Sequence, residues 1–493
     1  MPFIARNKAI HTALAAPGAG KTESFIQHAP RLLSEGKCIV LALPTIKLTD
    51  SIVQRCKGIA FRVVNSTTCQ PVGPVLASAL REKCDHFLIT THESLFQVEP
   101  RLLNGWIVVV DEIPQVLSLP YYWFDPIELG SIHVVAYESE GQLFLREEQK
   151  VGVEFALETH RAAAVAADRT SMLSKAGAII FQSLLLGKTV FIDSATDSGN
   201  RCIRPILELD CWSRFTAAEE VHVLGANVKG GLFDSFAQVH GFTFTRSMFT
   251  PDFAGYQCPT TIYPLFPQGK KYSKSAVLTT LNGERTQKHD GGEPRQIIDA
   301  LLNTALSKAG SKPLLFKNEW ADFRWLPKGQ ATVCTMDSRG LNDYMIATDA
   351  ILLFGGNPSP AEQCGLDYLA KKYDRIFTDA FVTTRLLEVS LQAVTRTAIR
   401  VSGNTQPIRL FVQDERVANY LVSTYMPHAL IDWSLSLEAP VLEDRRTTED
   451  PRRQKVHELF AQKKTNADVV AITGIHRNTA SAWRKAWRES QVA

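Results

Sequence analysis

Ala15-Ala16-Pro17-Gly18-Ala19-Gly20-Lys21-Thr22 decides how this chain is read. An apolar run, Ile10 to Ala15, leads into it, and Glu23 to Leu33 after it carries a helical pattern. Strand, glycine-rich loop and helix, with Lys-Thr at the helix start, is the context of a phosphate-binding P-loop. Gly18 and Gly20 allow the tight turn and the close approach of backbone to phosphate. The loop from Ala16 through Pro17, Gly18, Ala19 and Gly20 wraps the anion. Amides of the loop and helix N-terminus point at it. Lys21 is placed to reach the β- and γ-phosphates, and the Thr22 hydroxyl to hold Mg²⁺. ATP and Mg²⁺ are the expected cofactors.

The chain has 493 residues, room for about three domains at roughly 150 residues each. Its 45% apolar and 21% charged composition is that of a globular protein. No run of 18 uncharged apolar residues occurs, so no membrane partner is expected. The nine cysteines form no Cys-x-x-Cys pair, which signals neither a zinc site nor a disulfide framework and fits a reducing cytoplasm. The net charge of +3 hides an asymmetry. Residues 451–493 hold nine Lys/Arg against three acids, +6, which leaves −3 for the first 450. A basic end on a near-neutral body points to a polyanion contact there.

Continuous apolar runs alternate with helical segments, the pattern of a parallel sheet covered on both faces. Lys37 to Leu43, Phe87 to Thr90 and Trp106 to Val110 are such runs. The last feeds Asp111-Glu112 at its C-terminal end. Two adjacent acids there would divide the work: Asp111 would bind Mg²⁺, directly or through water, and Glu112 would orient and deprotonate the attacking water. Ile132 to Glu148 alternates around Glu140-Gly141 as a β-hairpin would. Phe155 to Leu186 is helical in pattern, and Thr189 to Asp193 reads as another buried strand.

With these residues in place the chain resembles the superfamily-2 helicases and translocases. Ala15 to Thr22 is similar to their motif I, Pro44-Thr45 to motif Ia and Thr90-Thr91-His92-Glu93 to motif Ib. Asp111-Glu112-Ile113-Pro114 resembles the DExx motif II, with Pro114 in place of His or Asp. Ser194-Ala195-Thr196 matches motif III, and Pro313 to Phe316 resembles motif IV. Ser338-Arg339-Gly340-Leu341-Asn342-Asp343 is similar to motif V. Gln392, Arg396 and Arg400 resemble motif VI, with Thr395 in place of Gly and the last Arg one residue late.

The resemblance implies two tandem RecA-like domains with ATP between them. It implies Gly340 and Asn342 beside the nucleotide, and Ser194 and Thr196 coupling hydrolysis to nucleic acid. Pro44, Thr45 and Thr91 would lie against the bound strand. Arg396 and Arg400 would be arginine fingers, with Gln392 beside them. On one continuous helix, positions 392, 396 and 400 would share a face.

Three short helical patterns close the chain: Lys455 to Lys463, Asn466 to Ile472 and Asn478 to Trp487, with Gly474 turning between the last two. This resembles the helix-turn-helix domains of resolvases and related regulators. The third helix would carry Arg477, Asn478, Thr479, Ser481, Arg484 and Lys485 to bases or phosphates.

The expected fold is therefore α/β. Residues 1–220 form the first RecA-like domain and 221–415 the second, which contains a small β-rich insertion at 230–290. A linker covers 416–450 and a helix-turn-helix domain 451–493. The expected activity is an ATP-driven DNA helicase or translocase, on single-stranded DNA in the cleft and duplex at the C-terminus. Such an enzyme suits replication, repair or a mobile element's own maintenance, with proteins of those processes as partners. An RNA helicase and a nucleotide-gated DNA-binding regulator are the alternatives.

Overall fold

The computed structural model describes residues 8–165, 173–335, 344–401, 403–437, 452–462, 464–475 and parts of 479–487. Seven parallel strands make the first sheet. Their order is Thr243–Arg246, Ala9–Leu14, Glu220–Gly225, Trp106–Asp111, Cys38–Leu43, Phe87–Thr91 and Arg62–Val63. Cys38–Leu43 and Trp106–Asp111 are buried along their whole length, which is why they read as unbroken apolar runs. Phe25, Ile26, Leu41 and Phe87 pack on one face of the sheet. Leu76, Leu80, Trp106 and Phe236 pack on the other. Because all strands run one way, Ala15, Pro44, Thr91, Asp111 and Gly225 share one edge, where open α/β sheets hold ligands.

The second sheet is also parallel. Its order is Thr332–Cys334, Leu314–Lys317, Asp349–Leu353, Ile408–Val412, Thr260–Pro264 and Leu430–Ile431. The helices Pro360–Tyr373 and Thr378–Val382 lie between strands of this sheet in sequence. They nonetheless bury Leu366, Leu369 and Phe381, with Phe377 between them, in the apolar cluster of the first sheet.

Three expectations are corrected. The run beginning at Val221 is not the start of the second domain. Glu220–Gly225 pairs with both Ala9–Leu14 and Trp106–Asp111, and Thr243–Arg246 extends the same sheet. Residues 230–290 are therefore not an insertion. Their aromatics are shared out among the main cores: Phe242 in the first lobe, Phe249 beside Phe25, and Tyr263, Phe266 and Tyr272 in the second. Nor is 416–450 a linker throughout, because Leu430–Ile431 pairs with the second sheet and Leu437 N–H bonds to Leu265 C=O. The insertion lies elsewhere.

Between Trp106–Asp111 and Glu220–Gly225 the chain builds a five-stranded sheet ordered Tyr122–Phe124, Arg201–Pro205, Val190–Ile192, Gln142–Leu145, Ala136–Ser139. The pairs in this sheet are antiparallel, and its core includes Phe124, Leu143, Phe181 and Ile203. The hairpin turns at Glu140 (φ 50°) and Gly141 (φ 74°), both in the left-handed region that a two-residue hairpin turn requires. Residues 126–135 ahead of it are helical rather than extended. The expected strand before Ser194 is present as Val190–Ile192 and belongs to this sheet, pairing with Arg201–Pro205 and Gln142.

At the C-terminus, helices Arg452–Ala461 and Asn466–Thr473 pack through Val456, Phe460 and Val469 with Ile475 and Ala480. Thr465 and Asp468 form a capping box on the second of them, and Gly474 (φ 64°) ends it.

Candidate nucleotide cleft between the two sheets

Sequence dictates the loop. Ala9–Leu14 ends at Leu14, and the helix Lys21–Ser34 begins at Lys21. Gly18 (φ 84°) and Gly20 (φ 87°) take left-handed conformations that side-chain-bearing residues resist. The Lys21 ammonium donates to the carbonyls of Ala15 (2.7 Å) and Ala16 (3.0 Å). Burial pulls it down to about 8, against the opposing charges of Asp111 and Glu112. The Thr22 hydroxyl donates to both carboxylate oxygens of Asp111, at 3.1 and 3.2 Å. Burial pushes the Asp111 carboxyl up, while Lys21 and the Thr22 hydrogen bond pull it back. A hydroxyl on a buried carboxylate at a helix N-terminus is the oxygen pair that a phosphate-bound Mg²⁺ takes. The loop, the cation and this pair fit a nucleoside triphosphate.

Glu112 is held in the left-handed region at φ 66°, strain of the kind that clusters at functional sites. Its N–H bonds to Leu224 C=O at 2.8 Å, and the His92 ring nitrogen Nε2 lies 2.9 Å from Asp111 C=O. The acidic pair is thereby fixed to the neighbouring strand Glu220–Gly225 and to the start of the helix His92–Gln97.

The second lobe reaches into this loop. A Cβ built on Gly18 would lie 2.5 Å from Arg400 Nε, so the guanidinium rests directly on the P-loop. The Tyr256 hydroxyl donates to Pro17 C=O at 2.7 Å, and the Tyr425 hydroxyl to Ala226 C=O. Burial lowers Arg400, with Tyr256 and Glu112 opposing.

Arg396 and Arg400 do not share a helix. The helix Glu388–Val394 stops there because Thr395 Oγ1 bonds back to Leu391 C=O (2.8 Å) and Thr397 caps a new 3₁₀ turn, Ala398–Arg400. Arg396 is buried and its charge is felt by Cys334, whereas Arg400 faces the loop. Gln392 is half-buried on the preceding helix.

Pro44 and Thr45 lie at the end of Cys38–Leu43, and Thr91 at the end of Phe87–Thr91, on the same sheet edge as the P-loop. Thr45 and Thr91 are also the N-caps of the following helices, accepting from Leu48 and Ser94 N–H. Ser194 and Thr196 are not brought to the cleft. They are exposed on a turn of the inserted sheet, where Thr196 N–H bonds to Asn200 C=O. Gly340, Asn342, Arg477, Asn478 and Lys485 lie outside the described residues. Arg484 is turned inward, donating to Asn466 Oδ1 (3.0 Å) and Lys464 C=O (3.2 Å) over the Phe460 ring. Ser481 accepts from Asn466 (3.0 Å), and Thr479 is half-buried.

The sequence reading missed Tyr256, Tyr425 and Asn227. The signal for Asn227 was present, because Gly225-Ala226-Asn227 follows a buried strand, but that strand was placed in the wrong lobe.

Comparison with known proteins finds similarity in the first lobe and in the fold. Residues 3–122 match the DEAD/DEAH box helicase family. The matched segment carries the P-loop and the Asp111-Glu112 strand end. A solved structure named "XPD_APO" shares the fold at TM-score 0.51 and 13% identity, over 86% of this chain and 97% of that one. "XPD_Helicase" aligns at TM-score 0.48 and 12% identity, over 87% and 96%. S. cerevisiae Dbp5 bound to RNA and ADP BeF3 aligns at TM-score 0.35 and 11% identity, over 87% and 86%. No curated protein sequence matches the chain. Among the described residues no helix is long and apolar enough to cross a membrane.

Proposed function

We propose that this protein is an ATP-driven helicase or translocase that works on DNA. The observation that carries the reading is Arg400 of the second lobe resting on Gly18 of the P-loop. A nucleotide cleft that needs both lobes can convert hydrolysis into relative movement of the lobes.

The chain's own residues divide the work. Lys21 exchanges the Ala15 and Ala16 carbonyls for phosphate oxygens. Thr22 and Asp111 hold Mg²⁺, and Glu112 takes the proton from the attacking water. Arg400 supplies positive charge from the opposite lobe as negative charge develops on the leaving phosphate. The bound nucleotide and Mg²⁺ supply the phosphoanhydride bond and neutralise its oxygens.

Nucleic acid would cross the shared strand ends near Pro44, Thr45 and Thr91. The basic end, residues 451–493, would recruit duplex DNA as a helix-turn-helix. That module supports DNA over RNA, because the major groove of A-form RNA is too narrow for a reading helix. The test is strand displacement on a partial duplex with ATP, using Glu112→Gln as the blank. ATP-dependent displacement of DNA supports the reading. Displacement of RNA alone would favour the RNA helicase.

A further inference from the structure

Glu388 belongs to none of the motifs, yet it sits where the two lobes meet. It opens the helix Glu388–Val394, directly after a π-helical turn, Thr383–Leu387. Single π turns inside helices gather at functional places. The carboxylate accepts the Tyr420 hydroxyl, and Asn227 Nδ2 donates to that same hydroxyl at 3.0 Å. Glu388 and Tyr420 come from the second lobe, Asn227 from the first.

Asn227 ends a short path through the first lobe. Leu224 C=O holds Glu112 N–H at 2.8 Å, Gly225 C=O holds Ala15 N–H at 3.3 Å, and Ala226 C=O takes the Tyr425 hydroxyl. Four consecutive residues, 224 to 227, thus touch the water-activating acid, the P-loop and the second lobe in turn. Nearby, Thr384 Oγ1 of the π turn accepts Leu232 N–H at 2.9 Å, a further tie across the same seam. Burial pushes the Glu388 carboxyl up to about 8, with Asn227 and Lys21 pulling it back, so the group already feels the P-loop lysine.

We infer that Glu388 is a positioning residue: through Tyr420 and Asn227 it latches the second lobe, and with it Arg400, onto the strand end that holds Glu112. This rests on the proposed ATP hydrolysis only for its consequence in rate, not for the latch itself.

Two measurements keep those parts separate. The first is hydrogen exchange on the full-length protein without nucleotide, comparing wild type with Glu388→Ala and Tyr420→Phe. The latch predicts faster exchange, by about tenfold, at residues 224–228 and in the loop 15–20 in both variants. Tyr420→Phe removes only a hydroxyl, so it answers even if Glu388→Ala folds poorly. Unchanged exchange in Tyr420→Phe overturns the latch whatever the enzyme does.

The second measurement is steady-state ATP turnover. Glu388→Ala should lower kcat by roughly ten- to a hundredfold with KM little changed, the cost of a displaced catalytic group. Glu388→Gln, which keeps an acceptor for Tyr420, should recover most of it. In an Arg400→Ala background, Glu388→Ala should cost nothing further. Additive losses, or a loss confined to KM, overturn the positioning role. Faster exchange in both variants, with a wild type that never hydrolyses ATP, keeps the latch and removes the proposed function.

Discussion

Arg400 occupies the space that a side chain at position 18 would need: a Cβ on Gly18 would stand 2.5 Å from its Nε. Gly18→Ala is therefore expected to act twice, by straining a backbone at φ 84° and by displacing the guanidinium. ATP turnover should fall by at least about a hundredfold. Gly36 has a similar φ of 76° but open space around it, so Gly36→Ala should lose stability without losing turnover once folded. Turnover and thermal unfolding of the pair separate the two effects.

Arg396 and Arg400 should fail differently. Arg396 is buried, so Arg396→Ala is expected to lower stability by roughly 1–3 kcal/mol, read as a drop in Tm. Arg400→Lys keeps charge but loses the planar fork, and should lower kcat with Tm nearly unchanged. The reverse assignment of the two losses would contradict the geometry.

Ser194→Ala and Thr196→Ala should leave the coupling of ATP turnover to nucleic acid within about twofold and stability within about 0.5 kcal/mol, since both residues are exposed on a turn of the inserted sheet. Asn227→Ala breaks the contact with Tyr420, so it should lower ATP turnover with and without added strand.

The Glu388 carboxyl gives a pH prediction with a definite sign. Its folded value, about 8, lies above the 4.5 of an ordinary glutamate, so the folded protein holds a proton there that the unfolded chain releases. That stabilisation is complete below about 4.5 and is lost as pH rises through 8. Relative to Glu388→Gln, which cannot ionise, wild type should lose Tm between pH 5 and 9. A constant Tm difference across that range would mean that the group is not held protonated.

The first sheet and the phosphate loop were legible because continuous apolar strands and a Gly-rich loop are local patterns with one physical reading. Lys21, Thr22, Asp111 and Glu112 come together because each sits at a strand end or helix start, and parallel strands bring those ends to one edge. What failed was non-local. Val190–Ile192 is as apolar as a parallel strand, and only its partners, Arg201–Pro205 and Gln142, reveal the antiparallel sheet. Glu220–Gly225 follows the inserted sheet in sequence yet returns to the centre of the first. The break after Val394 depends on Thr395 and Thr397 bonding backward, which competes with a helix that propensity alone would continue.

The most direct measurement is steady-state ATP hydrolysis by wild type and Arg400→Ala, each with no nucleic acid, single-stranded DNA, duplex DNA or RNA. The interlobe account predicts turnover stimulated most by single-stranded DNA. It also predicts about a thousandfold loss in Arg400→Ala with little change in nucleotide affinity. Full turnover in Arg400→Ala, or none in wild type under any condition, would contradict it.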